Sequence, residues 1–596
     1  MREGGLMMFG ATVRTENSLE EARDIVLRLP EEAAAGDFNA VEVERARTAL
    51  LKGIDLALRS PDRLGIRLSE SMADGDWRLF FLQRDRLKAV TAADVKRAAA
   101  RYLKPGNRTT GLFYPTEKPD RAEMPPVPDV PALVKDFKGG AALAAGEVFD
   151  PSPENIDRRT IRAALKDGLK LALLPKKTRG SSVNVVISLN LGSEESLKGL
   201  DAVPGLAGAM LMRGTLRHTR QQIEDEFDRL KTRASIGGGY ATLETDRENL
   251  AAALRLTAEI LREPSFPEDE FATLKQETLA YIEENRKQPE SLANNAFERH
   301  LRPYPPEDTR YTATPEEEIG RVKAADLAAL KAFHKDFYGA SSGQFSAVGD
   351  FDPEAIKSLA GELFGGWVSA KPFKRLEDKY KPIEPVNISL EAPDKANANI
   401  MLGLNFPMRD DNPDYPALQL ADFMIGGGFL NSRLAVRIRQ KEGLSYGVGC
   451  YLRADAEDEL GNFTAYAIFN PENAGKLEKA FREELDRVIY GGFTDAEVSE
   501  AKSGWLQQRK MSRAQDRRLA SRLSSNEYLG RTMAWYGGED KKAEALTPRQ
   551  VQDAFARHIR PEGLTFVKAG DFAGAAAKAA APKAGAPEGE KKADAK

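Results

Sequence analysis

The chain has 596 residues, 41% of them hydrophobic and 30% charged, with a net charge of −4 and one cysteine, Cys450. This excludes an intrachain disulfide and nucleic-acid binding driven by a basic excess, and at roughly 100–200 residues per domain it predicts three or four domains. There are only four histidines, His218, His300, His334 and His558, and no run of about 18 apolar residues that would predict a membrane span.

In chain order, Met1–Arg14 (MREGGLMMFGATVR) lacks the apolar stretch and small-residue cleavage site of a signal peptide. The expectation is a cytoplasmic chain or one whose natural N-terminus lies further upstream. Ser18 and Glu21 form a capping-box pattern that opens a helix toward Leu29. Residues 115–131 hold six prolines and predict a stiff, extended connector. Asp167-Gly168 predicts a hairpin between the apolar runs Ile161–Leu165 and Leu169–Leu174. Val183, Val185, Ile187, Leu189 and Leu191 alternate at the period of a half-buried strand, as do Ile400, Leu402, Leu404 and Phe406. Leu477, Phe481, Leu485 and Val488 recur at helical spacing. The Ala/Lys/Pro/Gly/Glu tail from Ala573 to Lys596 predicts disorder.

The chain repeats itself. Phe38, Glu42, Val43 and Arg47 recur as Phe266, Glu270, Phe271 and Lys275, and again as Phe493, Glu497, Val498 and Lys502. A second marker at a helix start follows each: Val90 to Val95, Val322 to Leu327 and Leu546 to Val551. The first copy reaches its Phe marker after only 37 residues, so its front is expected to be missing. On this alignment Met8–Thr15 falls where copy three has Phe463–Asn470, a late strand. Strands first, then helices on one side, predict an α+β fold of repeated two-layer domains, an antiparallel sheet with helices, whose first copy is truncated. A truncated open sheet would leave unpaired edges and half a core, which points to a missing portion or a partner chain.

One segment suggests a family. Gly426-Gly427-Gly428-Phe-Leu-Asn-Ser432-Arg433-Leu434 leads through Ile438-Arg439 to Glu442-Gly443-Leu444-Ser445-Tyr446-Gly447. It resembles the glycine-rich turn and Arg/Tyr motif of the pitrilysin/insulinase family of zinc metallopeptidases. Arg321–Asp350 is also similar to a segment of that family. The resemblance spans about residues 6–572. It implies a truncated domain over 1–115 (the back part of the family's second domain) and a hinge linker over 116–158. It further implies a non-catalytic domain over 159–375, a C-terminal domain with the Arg/Tyr motif over 376–572, and the tail over 573–596. It implies peptide substrates, proteolysis, and often a periplasmic location.

The family's zinc is held by H-x-x-E-H on a helix and a further Glu, with the Glu inside the motif as general base. This chain has no such motif. In copy two the matching helix reads Gly205-Leu-Ala-Gly-Ala-Met-Leu-Met-Arg-Gly214-Thr215, with Gly and Ala at the ligand positions. No metal ligand and no catalytic residue of its own is therefore expected, and zinc is expected only on a missing N-terminal half or a partner subunit. His334 and His300 read as structural, His218 as solvated, and His558 as a helix-end cation. Arg439 and Tyr446, by the resemblance, reach toward that active site to hold substrate and stabilise the oxyanion; by spacing alone, Arg439 could pair with Glu442 while Tyr446 fills a core. Gly426–Gly428 could be a tight turn or, by the resemblance, a flexible loop touching substrate. Glu316–Glu318 and Arg509–Arg522 read as solvated faces, the latter alternatively as a chamber wall. The functional expectation is the non-catalytic, substrate-binding and chamber-closing portion of an insulinase-type metalloendopeptidase, inactive alone. The alternative is a pseudo-peptidase that binds peptides or scaffolds a partner.

Overall fold

The structure, a computed structural model, describes residues 6–13, 17–36, 38–113 and 145–580. Most of the expected Pro-rich connector, residues 114–144, lies outside the described residues.

Two sheets carry the fold. The first runs β1 (Ile161–Ala164), β2 (Lys170–Pro175), β6 (Gln344–Gly349), β3 (Ser182–Ser188), β5 (Tyr240–Asp246), β4 (Arg233–Gly237). The second runs β7 (Asn387–Glu391), β11 (Thr565–Gly570), β8 (Ala398–Phe406), β10 (Gly461–Phe469), β9 (Ser445–Ala454). With the hairpin strand β1 set aside, the two orders are the same, which is the duplication in structural form. Each sheet pairs antiparallel except at one place, where β2 lies parallel to β6 and β7 parallel to β11. The expected antiparallel sheet is thus mixed: the last strand returns after a whole helical layer, a crossover long enough to permit parallel pairing. The β1–β2 hairpin turns at Gly168, whose φ of +103° and contact with the Ser341 carbonyl leave no room for a Cβ.

Each copy has five consecutive helices. Copy one has α1 (Leu19–Ala35), α2 (Ala40–Arg59), α3 (Pro61–Ala73), α4 (Leu79–Lys88) and α5 (Ala92–Tyr102). After α6 (Pro153–Arg159), α7 (Val203–Met210) and α8 (Arg220–Arg229), copy two has α9 (Leu250–Arg262), α10 (Glu268–Asn285), α11 (Pro289–Leu301), α12 (Pro315–Ala324) and α13 (Leu327–Phe337). After α14 (Pro353–Phe364) and α15 (Tyr415–Asp422), copy three has α16 (Ala474–Asp486), α17 (Asp495–Ala514), α18 (Asp516–Leu529), α19 (Met533–Ala545) and α20 (Pro548–His558).

The sequence markers have a physical basis. The basic residue of the first marker reaches the carbonyls that end the helix before the second marker. Arg47 donates to the Val90 carbonyl at 2.9 Å, and Lys275 to those of Lys323 and Ala325 at 2.9 Å. A cation there serves unsatisfied helix C-terminal carbonyls. The marker Glu270 pairs with Arg213 at 3.0 Å and Glu497 with Arg433 at 2.8 Å.

Copy one has no sheet among the described residues. Residues 8–13 are irregular, not the strand expected from the alignment, and Thr15 lies outside the described residues. A strand exists only against a partner, and here none is supplied. Copy one instead leans on copy two through ion pairs: Arg45 with Asp225, Lys52 with Asp228, Arg59 with Asp246 and Arg63 with Glu244.

Copies two and three are joined differently. Each has a core on one face of its sheet, and each sends its third helix across to the other. The α11 residues Ala293, Phe297 and Leu301 pack on Val567 and Ala569 of the second sheet. The α18 residues Leu519, Ala520 and Leu523 pack on Ala172, Leu174, Val186 and Val348 of the first. Arg509–Arg522 is therefore two helices broken at Gln515, and much of its charge is engaged: Arg509 and Arg513 hold Asp540, and Arg522 lies over Tyr536. Glu316–Glu318 forms the first turn of α12, where Glu317 takes the Thr314 N–H and Arg299. The tail departs from expectation at its start: Phe572–Ala580 is an alanine-rich helix, α21. Residues 581–596 lie outside the described residues.

Candidate functional site

The site forms where the glycine-rich turn meets the edge strand β9. Helix α15 ends in a π-turn over Phe423–Gly427. A Cβ on Gly426 would sit 2.5 Å from the Cys450 amide nitrogen and 2.6 Å from its sulfur, so only glycine lets this turn approach β9 so closely. The run is thus a close-packing device at Gly426, while Gly427 is exposed.

A second π-turn, Ala435–Lys441, carries Arg439. Its neighbour Arg437 takes Glu442 and Glu483, so the Glu442 partnership that spacing allowed for Arg439 belongs to Arg437. Tyr446, near the start of β9, is 83% exposed; it does not fill a core. The Arg439 guanidinium lies 5.0 Å from the Tyr446 ring centroid, a cation–π contact that holds two hydrogen-bond donors together at the surface.

Beneath this surface sits a pair that the sequence did not reveal. The Cys450 thiol donates to the Asp422 carboxyl at 3.1 Å. Burial pushes the Asp422 carboxyl up to about 7, against hydrogen bonds from Cys450 and the Leu452 N–H that lower it. Burial also drives the thiol well above its ordinary range. The lone cysteine was the available signal, but its partner lies 28 residues away on another element. At the base of the turn, Arg433 makes two hydrogen bonds to Glu497, at 2.8 and 3.0 Å, and lies over the Phe493 ring. Those bonds hold the Glu497 carboxyl down to about 2.

The copy-two helix matching the family's zinc helix does not fit a metal. Its Leu206, Ala207 and Gly208 are buried and offer no donor side chain, and a Cβ on Gly208 would come within 2.4 Å of the Gly238 nitrogen. Among the described residues no group of three His, Cys, Asp or Glu side chains is placed to hold a metal ion. The histidines have other partners. His334 is half-buried, bonds the Leu261 carbonyl, and is held below its usual range by burial. His300 bonds the Glu384 carbonyl and His558 bonds Asp414. His218, expected to be solvated, bonds Glu259 at 2.8 Å next to Thr215.

Two sheets of one topology, each followed by a five-helix series, with an Arg/Tyr pair on the edge strand of the second, define a duplicated α+β protein. Residues 324–504 match the profile of the peptidase M16 inactive domain, which supports the likeness to the pitrilysin/insulinase family. An uncharacterized zinc protease of Rickettsia felis is 24% identical over 431 residues, covering 70% of this chain and 93% of that protein. The non-peptidase homolog YmxG of Helicobacter pylori is 23% identical over 351 residues, covering 58% of this chain and 78% of that protein. The peptidase M16 inactive domain from Pseudomonas fluorescens superposes with a TM-score of 0.61 at 21% identity, covering 69% of this chain and 97% of that one.

Proposed function

We propose that the chain is the substrate-binding and chamber-closing portion of an insulinase-type zinc metalloendopeptidase and works with a zinc centre supplied by a further N-terminal half or by a partner subunit. Its substrates are extended peptides that add to a sheet edge through main-chain hydrogen bonds. Arg439 and Tyr446 supply donors where negative charge builds on the scissile carbonyl, and the glycine-rich turn borders the same surface. The observation that carries this reading is the exposed Tyr446 held under Arg439 on an edge strand. A buried or ion-paired arrangement would have argued for packing alone.

The test is peptide hydrolysis by the chain alone and after mixing with a polypeptide that carries H-x-x-E-H. No cleavage is expected alone. In the mixture Tyr446→Phe should lower kcat by about 10–100-fold with KM little changed. An unchanged rate would return Tyr446 to the surface. Chelator-sensitive cleavage by the isolated chain would overturn the reading.

A second reading, a peptide-binding or scaffolding pseudo-peptidase, draws support from the likeness to the non-peptidase homolog of Helicobacter pylori. It predicts peptide binding with no cleavage in any mixture.

A further inference from the structure

The outward turn of Tyr446 runs against the alternation of its own strand. On β9, Val448, Cys450 and Leu452 pack into the core and pair with Ala467, Ala465 and Phe463 of β10. Side chains two residues apart share one face of a sheet. A regular strand would therefore carry Tyr446 inward, opposite the buried Phe469. The ladder instead shifts between Ile468 and Phe469: Gly447 pairs with Ile468, Ser445 pairs with Phe469, and Tyr446 between them has no partner on β10. One extra residue on one strand of an antiparallel pair is a β-bulge, which re-aims the side chain it carries. Here Ser445 is buried in the inward place and Tyr446 is expelled to 83% exposure.

The side chain of Ser445 itself fixes this bulge. Its hydroxyl donates toward the Gly447 carbonyl on the same strand, at 2.8 Å, and toward the Ile468 carbonyl on β10, at 2.7 Å. Serine has one hydroxyl hydrogen, so the two carbonyls share it across the bulge. A bulge disrupts the ladder locally, and a buried acceptor without a donor is destabilising; the hydroxyl meets that need where the ladder shifts. On the other side, the Leu444 N–H donates to the Ile438 carbonyl at 2.8 Å. This ties the residue before the bulge to the π-turn that carries Arg439.

We propose that Ser445 is a positioning residue for Tyr446. Its hydroxyl clamps the bulge at the start of β9 and holds the phenol outward beside Arg439, instead of inward on the face of Phe469. The orientation stands on the geometry; its use at a scissile carbonyl rests on the proposed function.

Two experiments keep these apart. In the first, the full chain carries 3-fluorotyrosine in place of Tyr446, and the fluorine resonance is compared in light and heavy water, a shift that reports exposure of the ring. With Ser445 present the shift should match that of the chain in urea. Ser445→Ala and Ser445→Val, which lack the hydroxyl, should lose most of it. Ser445→Thr should keep it, as should Arg439→Gln, which removes the cation and leaves the clamp. Two hydroxyl-free variants are used so that, if one fails to fold, the other decides. An exposed ring in a folded Ala or Val variant overturns the proposal. A ring buried in Ser445→Thr or by Arg439→Gln does so too.

The second experiment is peptide hydrolysis in the mixture with an H-x-x-E-H polypeptide. Ser445→Ala should lower kcat by about 10–100-fold with KM little changed, as Tyr446→Phe does. Adding Tyr446→Phe to it should lower the rate no further, because residues acting through one group are not additive. An unchanged rate, or two effects that multiply, would mean that Ser445 does not act through Tyr446 and overturns the proposal. No cleavage in any mixture overturns the proposed function instead, and the fluorine spectra then decide alone whether Ser445 holds the ring.

Discussion

At the scale of single residues, Asp422 has the most to say about pH. Its carboxyl is shifted from 3.8 to about 7 by burial beneath the glycine-rich turn. Between those values the folded chain holds a proton that the unfolded chain has released, so stability falls as pH rises across that window and is flat above it. Asp422→Asn keeps an acceptor for the Cys450 thiol and removes the titration. Its stability advantage over the wild type should grow by up to a few kcal/mol between pH 4 and pH 7.5, read from urea melts at a series of pH values. Parallel profiles for the two proteins would show that the carboxyl titrates normally. Glu497 has the opposite sign. Arg433 holds it down to about 2, so its stabilisation is complete above the unfolded carboxylate range and is lost as pH falls toward 2. A double-mutant cycle with Arg433→Gln and Glu497→Gln should give a coupling of about 1–2 kcal/mol at pH 7, and a smaller one at pH 3.

At the scale of elements, the legible parts were those with local causes. The hairpin at Gly168, the alternation of β8 and the cap at Ser18 depend on neighbours within a few residues, and each formed as the pattern predicts; β3 formed over Ser182–Ser188 but is buried on both faces instead of half-buried, because α18 covers its other side. The Phe/Glu/basic marker was visible because the same tertiary bonds recur: the cation of α2 or α10 reaching the end of α4 or α12, and Glu270 or Glu497 meeting an arginine. Arg213 and Arg433 themselves were not legible, since 57 and 64 residues separate them from their partners. The contact of Arg439 with Tyr446 needed the π-turns as well, which have no sequence rule of comparable strength. The exchanged third helices were also hidden, because an amphipathic pattern says that a face is buried and not which sheet buries it. Phe297, at 0% exposure on the second sheet, gives that exchange a measurable weight. Phe297→Ala should cost about 3–5 kcal/mol, and because α11 belongs to copy two, both units should lose stability together. Calorimetry resolving two transitions, with only one displaced, would contradict this.

At the scale of the whole molecule, two kinds of junction meet. Copies two and three are joined chiefly by apolar contacts, which salt does not weaken, with the ion pairs Lys176–Asp516 and Arg162–Glu527 beside them. Copy one is attached to copy two through cation–carboxylate pairs, of which Arg59–Asp246 is buried and Arg45–Asp225 partly exposed. Exposed pairs are screened within about 10 Å at 0.1 M salt, and buried ones much less. Raising the salt from 0.05 to roughly 0.5 M should therefore speed amide exchange in α2 and α8 severalfold while leaving β3 and β8 unchanged; equal protection in both regions would mean that the junction does not depend on charge. The exchanged helices also bear on synthesis. Residues Pro289–Leu301 leave the ribosome long before Val567 and Ala569 exist, so the nascent polypeptide must carry Phe297 without its seat until nearly the last strand is translated. That interval gives a chaperone a defined, transient target, and the finished chain conceals it.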